Sequence, residues 1–156
     1  MKLVLFNGGR PGLLRDDGVI DVSQAIEHLT KQAGQAAMEA IITNWDGLRS
    51  ELSRLEKEGT AAPLSSVSLE APLPRPSKIL CMGGNFRELG AREPAPMWGF
   101  TKALDAIIGP GGTVVLPDVD ANIFHHEAEM VIVFGKGGKD IKQADAMDHV
   151  FGYTCG

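Results

Sequence analysis

The sequence lacks three features: a long apolar run, a stripe of basic residues and a cluster of cysteines. No stretch approaches the roughly 20 apolar residues needed to cross a bilayer, so we expect no membrane partner. The formal net charge is -5, and we expect no nucleic-acid partner because phosphate binding needs clustered Lys and Arg. The short apolar run at the amino terminus has no small-residue cleavage site. The 2 cysteines match no metal or redox spacing, which favours reduced thiols in a cytoplasmic protein.

The residues that are present are typical of a globular protein of the α+β class. The chain has 44% hydrophobic and 22% charged residues, close to the globular average. Residues 3–6 and 13–20 predict short antiparallel strands, with Asp17-Gly18 as a hairpin turn. The 19 glycines and 9 prolines favour loops between short strands. We therefore expect a small sheet at the start of the chain.

Helical patterns follow that predicted sheet. Ser23 predicts the N-cap of a short helix that runs to about Lys31, because its hydroxyl can accept a hydrogen bond from a first-turn amide. Gly34 then ends this helix. Across residues 35–57 apolar side chains recur at helical spacing, which predicts one amphipathic helix that covers a core.

A change in composition predicts a domain boundary near residue 70. Residues 59–66 are rich in small and polar side chains, and residues 72–76 contain three prolines that hold the chain extended. We therefore predict a small α/β domain over residues 1–70 and the beginning of a second domain over residues 71–156.

The second domain is predicted to consist mainly of strands. Residues 78–84, 113–116 and 125–134 have strand-like composition, and residues 140–147 predict one or two helical turns. Residues 150–156 begin another strand without a helix or polar tail after it, so we expect the natural chain to continue.

The strand predicted at 125–134 contains a candidate metal site. Alternate residues of a strand share a face, which places His125, Glu127 and Glu129 together. Two neighbouring carboxylates repel each other unless a cation or several donors lie between them. Oxygen ligands favour Mg²⁺, Mn²⁺ or Ca²⁺ over zinc. The alternative is a solvated strand end whose carboxylates face water, and a Glu-x-Glu pair alone does not decide between the two.

Two further regions contain candidate catalytic residues. A polar cluster follows the glycine-terminated strand at 78–84, where catalytic side chains are often found. It comprises Asn85, Glu88, Arg92 and Glu93. Lys102 follows the aromatic stretch 98–101 and can meet a substrate carboxylate or enolate oxygen as a compact cation. The alternative is a surface loop of mutually paired charges and a solvated lysine.

Taken in order, these segments resemble the fumarylacetoacetate hydrolase family from about residue 72 onward. The shared motifs are strand 78–84, Asn85-Phe86, Phe100-Thr101-Lys102, the turn 109–111, Pro117, the run 126–130, Gly135-Lys136 and Gly152-Tyr153-Thr154. The resemblance implies a mixed β-roll catalytic domain that binds Mg²⁺, Mn²⁺ or Ca²⁺ and forms a homodimer. It implies Glu127 and Glu129 as metal ligands and Lys102 near the substrate. A third ligand is implied beyond Gly156.

The motif that the family's hydrolytic members use as a general base is altered in this sequence. In those members a His-x-x-Glu follows the Asn-Tyr pair and activates water. Here Leu89 occupies the His position and Arg92 the Glu position. Leucine cannot accept a proton, so Glu93 is the candidate substitute.

The resemblance implies a metal-dependent hydrolase that cleaves a carbon-carbon bond. Its substrate would be a 1,3-dicarbonyl or 2-oxo acid, such as an acylpyruvate or fumarylacetoacetate, formed in aromatic catabolism. The alternatives are an isomerase, decarboxylase or hydratase of the same family, and a homologue that binds metal and ligand without catalysis because the base is lost.

Overall fold

The computed structural model describes residues 1–87, 93 and 96–156. Its strands are β1 (Leu3–Phe6), β2 (Arg10–Arg15), β3 (Gly18–Asp21), β4 (Leu69–Glu70), β5 (Leu80–Gly83), β6 (Trp98–Thr101), β7 (Met130–Phe134) and β8 (Val150–Cys155). Its α-helices are α1 (Ser23–Ile26), α2 (Gln35–Thr43) and α3 (Trp45–Glu58). Strands and helices occupy separate stretches of the chain, which confirms the predicted α+β class.

The amino-terminal sheet has the strand order β3-β2-β1-β4, and every pair is antiparallel. The turn Asp16-Asp17 joins β2 to β3, where Arg15 pairs with Gly18, so the predicted hairpin is confirmed. Gly18 has a φ of +153°, and a Cβ added there would lie 2.0 Å from the carbonyl oxygen of Ala62. Glycine therefore lets the chain around Ala62 approach the sheet.

A glycine turn between β1 and β2 is held by a distant carboxylate. Asn7, Gly8 and Gly9 all have positive φ, at 44°, 86° and 81°, and the backbone amides of both glycines donate to Oε1 of Glu70, at 2.6 and 3.1 Å. Successive amides in such turns form an anion-binding concavity. Here the anion comes from β4, so this turn and strand are fixed to each other.

The helical region contains two helices where the sequence predicted one over residues 35–57. The break falls at Asn44, whose backbone φ of -107° and ψ of 22° leave the helical region. Its backbone amide and its side-chain amide both donate to the carbonyl of Ala40, at 3.1 and 2.9 Å. Asparagine competes in this way for backbone hydrogen bonds, so α2 ends there and α3 begins at Trp45.

The predicted N-cap at Ser23 is wrong. Helix α1 ends at Ile26, well before Lys31, and its N-cap residue is Val22 without a capping side chain. Asp21 accepts a hydrogen bond from the Ser23 backbone amide at 2.8 Å. The buried hydroxyl of Ser23 has no partner among the described residues. The carboxylate of Asp21, two residues earlier, accepts from a first-turn amide in its place.

The hydrophobic core lies between the amino-terminal sheet and the helices. Its largest fully buried side chains are Leu5, Leu13, Val19, Val22, Ile41 and Leu52. Every buried apolar residue of the described chain lies within residues 1–71. The predicted domain boundary between residues 70 and 71 stays a prediction.

The rest of the chain forms two separate antiparallel pairs, β5 with β6 and β7 with β8. The predictions of strands at 78–84 and 150–156 are confirmed by β5 and β8. The strand predicted at 113–116 is wrong, since these residues are irregular and Val115 is 82% exposed. No neighbouring strand among the described residues offers them hydrogen bonds, and a strand requires such a partner.

The β7–β8 pair contacts the helical layer through two aromatic rings. Trp45 of α3 meets Phe151 of β8 edge to face, with ring centroids 5.2 Å apart, a favoured arrangement. Residues 140–147 contain the first turns of a short 3-10 helix, Gln143–His149, where helical turns were predicted. Among the described residues no helix is both long and apolar enough to cross a membrane.

Candidate metal and substrate site

Glu129 is fixed by backbone hydrogen bonds to the last residue of the chain. Its amide donates to the carbonyl of Gly156 at 2.8 Å, and its carbonyl accepts from the amide of Gly156 at 2.9 Å. These two bonds continue the antiparallel ladder by one pair beyond Met130 and Cys155. The backbone of this candidate ligand is therefore held in a defined position.

Glu127 lies in an irregular, exposed segment instead of a strand. A strand was predicted over residues 125–134, but in the structure it begins only at Met130. The prediction is therefore wrong for residues 125–129. Among the described residues, Glu127 has no backbone hydrogen bond.

An open depression of about 430 Å³ lies against the paired ends of β7 and β8. Its lining comprises Ala128, Glu129, Met130, Tyr153, Thr154, Cys155 and Gly156. Glu129 therefore lies at the border of this depression. Tyr153 and Thr154 were known from the sequence only as part of a motif. The register pairs Thr154 with Val131, on the face that Glu129 shares, and pairs Tyr153 with Ile132 on the other face.

The donor type of the two glutamates fits a hard divalent cation, but their number is incomplete. Both side chains are exposed and offer only carboxylate oxygens, which Mg²⁺ and Mn²⁺ prefer. In the part of the chain that the structure describes, no three His, Cys, Asp or Glu side chains gather as a metal site. Glu127 and Glu129 would hold the cation together with a ligand from elsewhere.

Lys102 lies directly after β6, and its backbone amide donates to the carbonyl of Ile79 at 3.3 Å. Its side chain is exposed, and no carboxylate among the described residues forms an ion pair with it. Just before Lys102 in the sequence, the aromatic rings of Trp98 and Phe100 stack on each other, with centroids 5.6 Å apart. An uncompensated cation therefore follows an exposed aromatic pair.

The replacement base proposed from the sequence, Glu93, is engaged in a surface ion pair. Its Oε2 lies 3.0 Å from a guanidinium nitrogen of Arg87, and its side chain is 77% exposed. Leu89 and Arg92, which occupy the base positions of the motif, lie outside the described residues, as does Glu88 of the predicted polar cluster. Glu93 is thus available to water but is already paired with a cation.

The candidate residues fall into two groups that the described structure does not join. Lys102 belongs to the β5–β6 pair, and the two glutamates precede β7 in the other pair. No hydrogen bond or ion pair among the described side chains links the groups. Their roles stay predictions.

The fold and these residues define an α+β protein with two exposed carboxylates, candidate ligands for a cation, in its second half. The family model for the carboxy-terminal domain of fumarylacetoacetate hydrolase matches residues 78–156. This chain belongs to the fumarylacetoacetate hydrolase family, as the resemblance of its motifs predicted.

Relatives in the family have different named activities. The chain is 35% identical to an oxaloacetate tautomerase of Xenopus laevis, over 99% of this chain and 50% of that protein. It is 41% identical to the oxaloacetate tautomerase YisK of Bacillus subtilis, over 58% of this chain and 33% of that protein. Family membership alone therefore does not select the reaction.

A solved structure of the family matches nearly the whole chain. It is maleylpyruvate hydrolase from Sphingobium sp. SYK-6 in complex with manganese(II) and pyruvate, with a TM-score of 0.86 and 34% identity. The match covers 99% of this chain and 57% of that one. The fold of the family is therefore shown over both halves of the chain. The chain spans about half the length of the frog and Sphingobium relatives, so the activity of the whole protein is a proposal.

Proposed function

We propose that the protein is a metal-dependent enzyme that hydrolyses a carbon-carbon bond of a small 2-oxo or 1,3-dicarbonyl acid. The observation that carries this proposal is the Glu127 and Glu129 pair, which offers only oxygen ligands and borders an open depression of about 430 Å³ through Glu129. The manganese and pyruvate held by the Sphingobium relative support the same ligand and substrate classes.

A divalent cation bound here would stabilise the negative charge that develops on a keto-enol oxygen as the bond breaks. The chain's own residues have separate roles in the proposal. Glu127 and Glu129 hold the cation. Lys102 places a positive charge where a substrate carboxylate binds, and it has no ion-pair partner among the described residues. Glu93 accepts a proton from water once it leaves Arg87.

A second candidate reaction is keto-enol isomerisation of a 2-oxo acid. It is favoured by Leu89, because this reaction moves a proton within the substrate and does not require an activated water molecule. It is also favoured by the names of the frog and Bacillus relatives. Decarboxylation and hydration remain alternatives of the same family, and binding without catalysis is the alternative outside enzyme function.

The test compares two substrates in the full-length protein with Mg²⁺ or Mn²⁺. Hydrolysis predicts loss of acylpyruvate absorbance with formation of pyruvate, whereas isomerisation predicts faster loss of the enol absorbance of oxaloacetate without pyruvate. Binding of metal without turnover of either acid would overturn the enzyme proposal and favour the binding protein.

The metal ligands are tested by titrating Mn²⁺ against the apoprotein and following the paramagnetic resonance signal of free Mn²⁺. Glu127→Gln and Glu129→Gln should each weaken binding at least about tenfold, in line with the effects of perturbing metal sites. Glu27→Gln is the matched control, since Glu27 is an exposed glutamate that directly follows helix α1 and is not a candidate ligand. Equal affinity in all three variants would refute the ligand assignment.

We also propose a homodimer and a role in aromatic catabolism on the basis of the resemblance alone, and a cytoplasmic location on the basis of the two cysteines, which match no metal or redox spacing. The first of these is tested by light scattering of the full-length protein, where a monomeric mass would contradict it.

A further inference from the structure

A β-bulge interrupts the ladder between β7 and β8. Val133 pairs with Gly152, but the next residue, Phe134, pairs with Val150. Phe151 is therefore an extra residue without a partner in the described ladder. A bulge of this kind bends its strand and re-aims a side chain, and bulges are frequent next to active sites. In this protein the bulge lies on the strand whose end fixes a candidate metal ligand.

The extra residue contacts the helices of the first half of the chain. The ring of Phe151 meets the Trp45 ring edge to face, with an angle of 84° between the ring planes. Trp45 is partly buried and packs against the hydrophobic core. A Cβ added to Gly135 would lie 3.1 Å from the Cβ of Phe151 and 3.6 Å from the Cγ2 of Ile42. The bulge is therefore packed against both α2 and α3.

The bulge also sets the register beside the candidate ligand. Glu129 is bonded to Gly156, and Thr154 lies opposite Val131. A regular ladder that ran on from the other side of the bulge would place Glu129 opposite Cys155 instead. A slip of one residue turns the side chains of a strand to the other face, so Thr154 would leave the face that Glu129 shares.

We propose that Trp45 is a positioning residue for the metal site, because it holds Phe151 in the bulge and thereby fixes the register that presents Glu129 on the same face as Thr154. The inference rests on the proposed function, in which Glu129 is a metal ligand. Trp45 acts through β8, since Gly156 lies about 17 Å along the strand from Phe151. An aromatic pair of this kind corresponds to about a 2- to 12-fold change in an equilibrium constant.

The first test titrates Mn²⁺ against the full-length apoprotein and follows the paramagnetic resonance signal of free Mn²⁺. Trp45→Ala should weaken Mn²⁺ binding by about 2- to 12-fold, because molecules in the slipped register do not present the site. Trp45→Phe keeps an aromatic ring at this position and should retain most of the affinity. Leu52→Ala is the matched control, since Leu52 is a fully buried core residue of the same helix. It should lower the melting temperature and leave Mn²⁺ affinity unchanged.

A disulfide reports the register itself. Met130 and Cys155 are directly opposed. The two hydrogen bonds between Glu129 and Gly156 make the neighbouring Met130 and Cys155 a non-hydrogen-bonded pair, whose Cα atoms lie about 4.5 Å apart. A disulfide can span this distance.

In Met130→Cys, the introduced thiol should therefore form a disulfide with Cys155, which peptide mass spectrometry can map in glutathione buffer. Adding Trp45→Ala should lower the equilibrium constant of this disulfide by about 2- to 12-fold. Adding Leu52→Ala should leave it unchanged.

A second variant disturbs the same contact from β7's end of the bulge. Gly135→Ala would press a methyl group on Phe151 and should weaken Mn²⁺ binding as Trp45→Ala does. Gly137→Ala should not, since a Cβ at Gly137 meets nothing within 4 Å. This pair keeps the inference testable if Trp45→Ala fails to fold.

The outcomes separate the inference from the proposed function. Unchanged Mn²⁺ affinity in Trp45→Ala or, should it not fold, in Gly135→Ala would overturn the inference while leaving the proposed function standing. An equal loss of affinity in Leu52→Ala would do the same. Absence of Mn²⁺ binding by the unsubstituted protein would overturn the proposed ligands. The disulfide would then decide alone: a lower constant with Trp45→Ala supports its role in the register, and an unchanged constant overturns it.

Discussion

Replacing Glu70 by alanine should release the turn that joins β1 to β2. Oε1 of Glu70 accepts hydrogen bonds from the amides of Gly8 and Gly9, at 2.6 and 3.1 Å. The positive φ angles of these glycines aim both amides at one oxygen. Glu70→Ala removes the acceptor and leaves two amides to be solvated by water alone.

The magnitude follows from the charge and exposure of the two hydrogen bonds. Hydrogen bonds to charged groups contribute about 1.5–3 kcal/mol, and we take the lower end because the Gly8 bond is exposed and the Gly9 bond only partly buried. We therefore expect Glu70→Ala to lower the free energy of unfolding by about 1–2 kcal/mol. Glu70→Gln should cost about half as much, since the amide oxygen still accepts.

The measurement is thermal unfolding followed by far-ultraviolet circular dichroism. For a protein of this size, about 1–2 kcal/mol corresponds to a decrease in Tm of roughly 2–8 °C. Glu27→Ala removes the same charge from an exposed position and serves as the control. If Glu70→Ala lowers Tm no more than Glu27→Ala does, the carboxylate does not hold the turn and the reasoning is refuted.

Two further predictions concern the core and a surface ion pair. Leu52→Ala should cost about 2–5 kcal/mol because Leu52 is fully buried and its removal leaves a cavity; Leu64→Ala, at 44% exposure, should cost about 0.5 kcal/mol or less in the same denaturant titration. The Arg15 guanidinium donates two hydrogen bonds to Asp17 and holds the pKa of that carboxyl below its usual range. The pair therefore stabilises the fold above the unfolded pKa and stops doing so as pH falls through the folded pKa, and Arg15→Gln should raise the Asp17 pKa measured by NMR titration.

Local patterns predicted the parts of the fold that local interactions determine. Asp17-Gly18 was sufficient to locate the β2–β3 hairpin to within one residue, although the turn itself is Asp16-Asp17 and Gly18 already belongs to β3. Helical spacing located the apolar faces of α2 and α3, because residues three and four positions apart share one face of a helix. The break at Asn44 escaped prediction because the spacing continues across it, and the competing side-chain hydrogen bond to Ala40 leaves no trace in periodicity.

Strands that depend on distant partners were predicted less well. Residues 113–116 have strand composition, yet in the described structure they pair with nothing. The pairing of β4 with β1, which brings Glu70 to Gly8, joins residues more than 60 positions apart. A two-residue strand has too little sequence for any pattern to reveal it, so contacts of this range become visible only in the structure.

The candidate site shows the same division between residue identity and geometry. The sequence identified Glu127, Glu129 and Lys102 by type and by family motif. It did not reveal that the Trp98 ring lies over Gly83, because alternation along one strand carries no information about its partner strand. The register between β5 and β6 determines that contact. No local sequence pattern specifies the register of two strands that are joined by a long connection.

The two proposed metal ligands differ in how the chain holds them, and this difference has a consequence for binding. Glu129 is fixed by two backbone hydrogen bonds to Gly156, whereas Glu127 has none among the described residues. A cation that bound both carboxylates would have to order Glu127 as well, so the entropy of ordering that segment opposes binding.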